Sequence, residues 1–186
     1  MDDHSWSEQK RSLHALFEKG ALRRGSFILS SGKTSTYYLD GRVITLDCEG
    51  AYLVASIILD MVAGLRIDAI GGPTLGADPI AGAVACLAHQ KKIPLSTFIV
   101  RKVAKAHGMQ RQVEGPTLRA GARVVLVDDV ATTGHALVEA KSALDALSVT
   151  VEKAIVIVDR QEGAGENLAK VGVALDSIFT IADFGL

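Results

Sequence analysis

Apolar residues recur at three- and four-residue steps through Trp6, Leu13, Leu16 and Phe17, which predicts an amphipathic helix over Ser5–Lys19, stopped by Gly20. Ser26–Leu29 and Ser35–Asp40, on either side of Ser31-Gly32-Lys33, read as a strand pair. Helical spacing returns from Cys48 to Ala63. Beyond that point the pattern is regular. Short apolar runs at Asp68–Gly71, Ser96–Val100, Arg123–Val127, Thr150–Val158 and Ser177–Thr180 predict strands. Between them, helices are predicted near Asp78–His89, His135–Leu147 and Gly165–Lys170. This alternation predicts βαβ units, hence an α/β fold with a parallel sheet of about five strands and helices on both faces. No repeat, low-complexity segment or linker divides residues 1–186, so the chain reads as a single domain.

Composition narrows the classes. A hydrophobic share of 48% excludes a disordered chain. The net charge of −1, from 20 Lys and Arg against 21 Asp and Glu, argues against a nucleic-acid partner or an anionic membrane surface. Ala51–Leu65, the longest apolar stretch, is interrupted by Ser56 and Asp60 and is too short to cross a bilayer. Met1-Asp2-Asp3-His4 is acidic where an export signal would be basic. Cys48 and Cys86 lack metal-binding spacing, which fits a reducing cytoplasm and no zinc.

Ligands of such sheets gather at the carboxyl ends of the strands, so the chemistry is expected in the loops that leave them. The strongest segment is Arg123-Val-Val-Leu-Val-Asp128-Asp129-Val130-Ala131-Thr132-Thr133-Gly134-His135-Ala136. Its two carboxylates can accept hydrogen bonds from vicinal hydroxyls. The small residues up to Ala136 open a helix whose first amides can hold a phosphate monoester. Together these suggest a ribose 5-phosphate; an ordinary threonine helix cap is the alternative.

Arg101-Lys102-Val103-Ala104-Lys105-Ala106-His107-Gly108-Met109-Gln110-Arg111 carries four fixed cations and a histidine before Glu114. It leaves a strand, lacks an apolar stripe and ends at Gly115-Pro116, which fits a mobile cationic lid over a polyphosphate better than a solvated helix. His107 could donate to phosphate or act as an acid near neutral pH, whereas His4, His14 and His89 read as surface residues.

Gly71-Gly72-Pro73-Thr74-Leu75-Gly76-Ala77-Asp78 could wrap a pyrophosphate with backbone amides, or be a plain turn capped by Asp78. Arg160, in Asp159-Arg160-Gln161-Glu162-Gly163, could take a carboxylate or imide edge bidentately, or form a surface ion pair with Asp159 or Glu162. Two echoes carry nothing. Gly32-Lys33-Thr34 lacks the first glycine of a nucleotide-binding P-loop, since Phe27 stands there, and it precedes a strand rather than a helix. Asp183-Phe184-Gly185 copies a kinase tripeptide without any other kinase element.

These loops in this order, with the hairpin Phe27-Ile-Leu-Ser-Ser31-Gly32-Lys33-Thr-Ser35-Thr-Tyr37-Tyr38-Leu-Asp40, resemble the orotate phosphoribosyltransferases over roughly Leu13–Thr180. The Asp-Asp-Val-x-Thr-Thr-Gly element alone marks only the type I phosphoribosyltransferases, whereas the lid, the hairpin and the Asp-Arg-Gln-Glu-Gly loop point to orotate. The resemblance implies a type I phosphoribosyltransferase fold whose residues 1–45 form a hood carrying the hairpin. It implies phosphoribosyl transfer to orotate in pyrimidine (UMP) biosynthesis, with Mg2+ on the pyrophosphate and ribose oxygens and no direct protein ligand to the metal. In this reading Lys105, His107, Asp128 and Asp129 are catalytic. Asp128 and Asp129 hold the ribose hydroxyls, while Val130, Ala131, Thr132, Thr133, Gly134, His135 and Ala136 surround the 5-phosphate. Leu75 and Gly76 line the pyrophosphate. Arg101, Lys105 and His107 reach it from the partner subunit of a homodimer, and Lys102 acts in the other chain. Thr132 and Arg160 fix orotate, with Tyr37 and Tyr38 beneath its ring. Ser30 and Gly76 stand where some members carry lysine. A purine phosphoribosyltransferase is the alternative reading. A non-catalytic regulator would need a DNA-binding module that the one helix before the hairpin does not supply.

Overall fold

The computed structural model describes residues 7–28, 34–102 and 112–186. Helix α1 (Glu8–Leu16) starts at Ser7, whose hydroxyl accepts from the Lys10 N–H. Gly20 does not stop the helix: the chain continues through a wider π turn, Phe17–Ala21, because Phe17 and Ala21 are both buried. Strand β1 (Leu22–Ile28) therefore begins four residues earlier than the pattern predicts, along an exposed and charged stretch, and pairs antiparallel with β2 (Thr34–Leu39). A short helix α2 (Arg42–Thr45) leads to α3 (Cys48–Met61), whose N-cap Asp47 accepts from the Glu49 and Gly50 N–H groups.

The predicted strands follow as β3 (Ala69–Pro73), β4 (Ser96–Val100), β6 (Arg123–Ala131), β7 (Thr150–Asp159) and β8 (Leu175–Thr180). The predicted helices are α4 (Ala77–Gln90), α5 (His135–Asp145) and α6 (Ala164–Ala169). One strand was not expected: β5 (Val113–Glu114) returns antiparallel along β4, so the sheet has six strands in the order β5-β4-β3-β6-β7-β8. Hence residues 112–114, directly before Gly115-Pro116, are tied to the sheet edge: the Arg101 N–H donates to the Gln112 carbonyl at 2.9 Å.

The parallel strands are buried on both faces. Val125, Val127, Ile155 and Ile157 join one core with α1, α3 and α4. Val124, Leu126 and Val156 join another with α5 and α6. His14 is half-buried rather than a free surface residue. It stacks on Phe184 (centroids 4.7 Å apart) beside Phe179, and its Nε2 lies 3.1 Å from the Asp183 carbonyl. Asp183 itself closes a capping box with Thr180, a structural role for the kinase-like tripeptide. Strand order reverses between β3 and β6, and such a switch point opens a crevice at the carboxyl ends of the two strands.

Candidate active site

That crevice holds a cleft of about 600 Å³. It is lined by Leu39, Asp40, Gly41 and Arg42 where β2 ends and by Thr74, Leu75 and Gly76 after β3, with Lys102, Asp129, Val130, Thr132 and Arg160 completing it. The chain reaches it for a topological reason. The ladder between β3 and β6 ends at Gly71↔Leu126, and the two carboxylates follow on β6 just beyond its last pair.

Asp128 and Asp129 lie within β6, since the strand runs on to Ala131. The Asp129 N–H donates to Asp128 Oδ1 at 3.0 Å and the Val130 N–H to Asp129 Oδ1 at 2.8 Å. Burial pushes the Asp128 carboxyl well above the ordinary carboxylate range, and the Asp129 charge adds to this, with Asp78 contributing too. Burial also raises Asp129, against the Val130 N–H and the Arg42 charge. Such a pair invites donors or a cation.

The loop after β3 packs on the pair. A Cβ at Gly76 would overlap Asp128 Oδ1 and come within 2.6 Å of Asp129 Oδ1, so a residue with a side chain does not fit there in this arrangement. Asp78 is not the cap of α4: Gly76 occupies that position, with no side-chain cap bond. Instead Thr74 Oγ1 donates to Asp78 Oδ2 at 2.8 Å, while Asp78 Oδ1 is buried without a donor.

After β6 the chain turns at Gly134 (φ 72°), a left-handed conformation that glycine adopts without steric cost, and α5 begins. The N-cap contributes no side-chain bond, which leaves the first-turn amides to a ligand. Thr133 and His135 are exposed, Gly134 and Ala131 buried, and Thr132 and Ala136 half-buried. The Asn167 amide donates to the Thr133 carbonyl at 2.9 Å and braces the turn.

Arg160 is 13% exposed. Its Nε donates to the Tyr37 hydroxyl at 2.9 Å, and its Nη2 lies 2.8 Å from Glu162 Oε1. The ion pair with Glu162 is therefore present, but the guanidinium is held at the cleft rather than on open surface. Tyr37 and Tyr38 separate because neighbours on a strand face opposite ways: Tyr37 meets Arg160, and Tyr38 packs against Phe27 (centroids 5.9 Å apart). Lys102 lines the cleft of its own chain, while Arg101 lies 3.6 Å from Glu114. Lys105, His107 and Ser30 lie outside the described residues. Sequence reasoning missed Asp40, Gly41 and Arg42 as cleft residues; the signal was an acid and a base two residues apart where the hairpin strand ends.

Residues 47–186 match the phosphoribosyl transferase domain model. An orotate phosphoribosyltransferase from Rhodopirellula baltica is 41% identical over 192 residues, covering 100% of this chain and 99% of the relative. That of Aquifex aeolicus is 41% identical, covering 94% of this chain and 97% of its own. Among solved structures, Mycobacterium tuberculosis orotate phosphoribosyltransferase with 5-phospho-alpha-D-ribosyl 1-diphosphate superposes with a TM-score of 0.80 at 31% identity, covering 96% of this chain and 99% of that one. An adenine phosphoribosyl transferase from Trypanosoma brucei has a TM-score of 0.68 at 16% identity, which shows that the fold by itself does not choose the base. Full-length identity does: this chain belongs to the orotate phosphoribosyltransferase family.

Proposed function

We propose that this chain transfers the phosphoribosyl group of 5-phosphoribosyl 1-pyrophosphate to N1 of orotate, giving orotidine 5′-monophosphate and pyrophosphate in pyrimidine biosynthesis. The observation that carries it is the meeting, in one cleft, of the Asp128-Asp129 pair, the uncapped start of α5 and an arginine held by Tyr37. The bond from C1 of the ribose to pyrophosphate breaks as that from C1 to N1 forms, through an oxocarbenium-like state as in glycoside chemistry. The protein supplies no nucleophile. Asp128 and Asp129 accept from the ribose hydroxyls and fix the sugar, the α5 amides hold the 5-phosphate, and Arg160 takes the orotate carboxylate. Thr132 and Tyr37 complete the base site. Lys102 meets the pyrophosphate within the chain; Lys105, His107 and Arg101 act from the lid.

The residues present fit a magnesium ion carried in by the substrate. Asp78, Asp128 and Asp129 are hard oxygen donors with a buried Asp78 oxygen lacking a partner, yet no group of three or more such side chains among the described residues is arranged to cage a metal. When bound, magnesium offsets the charge of the departing pyrophosphate.

A homodimer with shared sites is the proposed assembly. Its support is that Lys102 turns into its own cleft while adjacent Arg101 turns away. No helix among the described residues is long and apolar enough to cross a membrane, and exposed, unpaired Cys48 and Cys86 suit the reducing cytoplasm proposed for it. The test is a spectrophotometric assay of orotate consumption with phosphoribosyl pyrophosphate and Mg2+, alongside adenine and hypoxanthine. Transfer to a purine but not to orotate would replace this reading with the purine one.

A further inference from the structure

The turn Asp40-Gly41-Arg42 carries the chain from β2 into α2 along the cleft wall. Its backbone lies directly on the ribose carboxylates: a Cβ at Gly41 would stand 2.8 Å from Asp129 Cβ and 3.0 Å from Asp129 Oδ2. Arg42 is held in a fork. Its Nε donates to Asp40 Oδ1 at 3.0 Å, its Nη2 to Asp40 Oδ2 at 3.2 Å, and its backbone N–H to Asp40 Oδ1 at 3.1 Å. A guanidinium has five N–H donors, so the two Nη1 donors and one on Nη2 find no acceptor among the described residues. The side chain is 47% exposed. Asp40 raises the Arg42 pKa, and Asp129 adds a smaller contribution, so the cation lies within electrostatic reach of the ribose carboxylates.

Among the described residues, the cations lining this cleft are Arg42, Lys102 and Arg160, and Arg160 is already committed to Tyr37 and Glu162. The loop Thr74-Leu75-Gly76 offers no side-chain cation, and position 76 has no room for one. A departing polyanion beside the cleft carboxylates Asp40 and Asp129 is held better where positive charge lines the same wall.

We infer that Arg42 binds the pyrophosphate group through its free Nη1 edge, with Asp40 holding the planar guanidinium in place at the cleft wall. The inference rests on the proposed reaction and adds a binding residue to it. The bidentate clamp orders the side chain before the ligand arrives, which lowers the entropy lost on binding, and a planar fork suits phosphate oxygens better than a lysine.

The experiment is calorimetric titration of the full chain with inorganic pyrophosphate and with phosphoribosyl pyrophosphate, each in excess Mg2+, using wild type, Arg42→Gln, Arg42→Lys and Asp40→Asn, with melting temperatures recorded. Arg42→Gln should raise both dissociation constants about tenfold, since charge-assisted bonds to phosphate are lost. Arg42→Lys should recover part of that loss. Asp40→Asn should weaken pyrophosphate binding only about twofold to threefold, less than Arg42→Gln, because the clamp that orders the guanidinium is loosened while the cation remains. Unchanged affinity in Arg42→Gln overturns the inference. So does equal weakening in Asp40→Asn and Arg42→Gln, which would make the pair a structural staple of the turn. If wild type binds neither ligand, the functional reading falls, and this inference with it.

Discussion

In the proposed reading, Asp128 and Asp129 cost the free protein stability in order to serve a ligand. Their carboxyls are raised by burial, so the folded chain holds protons more tightly than the unfolded chain does. The contribution of this pair to stability is then greatest below the ordinary carboxylate value of 3.8 and declines as pH climbs from there through the raised folded values. Asp128→Asn should accordingly raise the melting temperature at pH 7 more than at pH 4, in scanning calorimetry without substrate. The double change Asp128→Asn with Asp129→Asn should cut transfer to orotate on the order of a hundredfold or more, because hydrogen bonds to charged acceptors contribute about 1.5–3 kcal/mol each. A double variant that turns over normally would remove the pair from the site. At Arg160 the expectation is a split between constants. Arg160→Lys keeps the charge but loses the fork, so the Michaelis constant for orotate should rise strongly while that for phosphoribosyl pyrophosphate holds. Both constants moving together would mean that Arg160, through Tyr37 and Glu162, only supports the hairpin.

At the scale of elements, the loop between β3 and α4 is shaped by what lies beneath it. Gly76 is a glycine because Asp128 Oδ1 occupies the space a Cβ would need. Gly76→Ala should therefore displace the loop or the carboxylates and raise the Michaelis constant for phosphoribosyl pyrophosphate by about tenfold or more, as a displacement near 1 Å costs in a positioned site. Hydrogen exchange should show the change confined to the ends of β3 and β6; unchanged kinetics would mean that the loop yields freely. The same segment shows where sequence periodicity reaches its limit. The apolar runs of β3, β4, β6, β7 and β8 were legible because strands buried on both faces must be continuously apolar. β5 was not legible, since a pair of residues forms no pattern and exists only because β4 offers a free edge. The start of β1 was missed because its exposed Arg23 and Arg24 carry no alternation, although Arg24 is fixed by Glu18 and the Phe184 carbonyl.

Across the whole molecule, the proposed dimer makes a prediction that no single chain can mimic. Lys105→Ala and the Asp128→Asn, Asp129→Asn double variant should each be inactive alone. Unfolded and refolded together, random pairing makes about half of the dimers hybrid, and each hybrid has one site with an intact lid and intact carboxylates. Activity should return to about a quarter of wild type. No recovery after confirmed subunit exchange would mean that lid and carboxylates of one site come from one chain.

Sequence alone determined the alternation of strand and helix, the order of the loops and the chemistry each could carry, because those depend on neighbours along the chain. Burial periodicity, a carboxylate pair and a glycine turn before a helix are local facts. Tertiary structure decided what needs residues far apart in sequence. Arg160 meets Tyr37 across 123 positions, and His14 is half-covered only because Phe184 and Phe179 fold back onto it. Arg42 becomes a cleft residue only when its turn lies on Asp129. Apolar burial is written into composition and spacing, but the partner that a polar group finds depends on which strand edges come together, and the reversal of strand order between β3 and β6 makes that choice here.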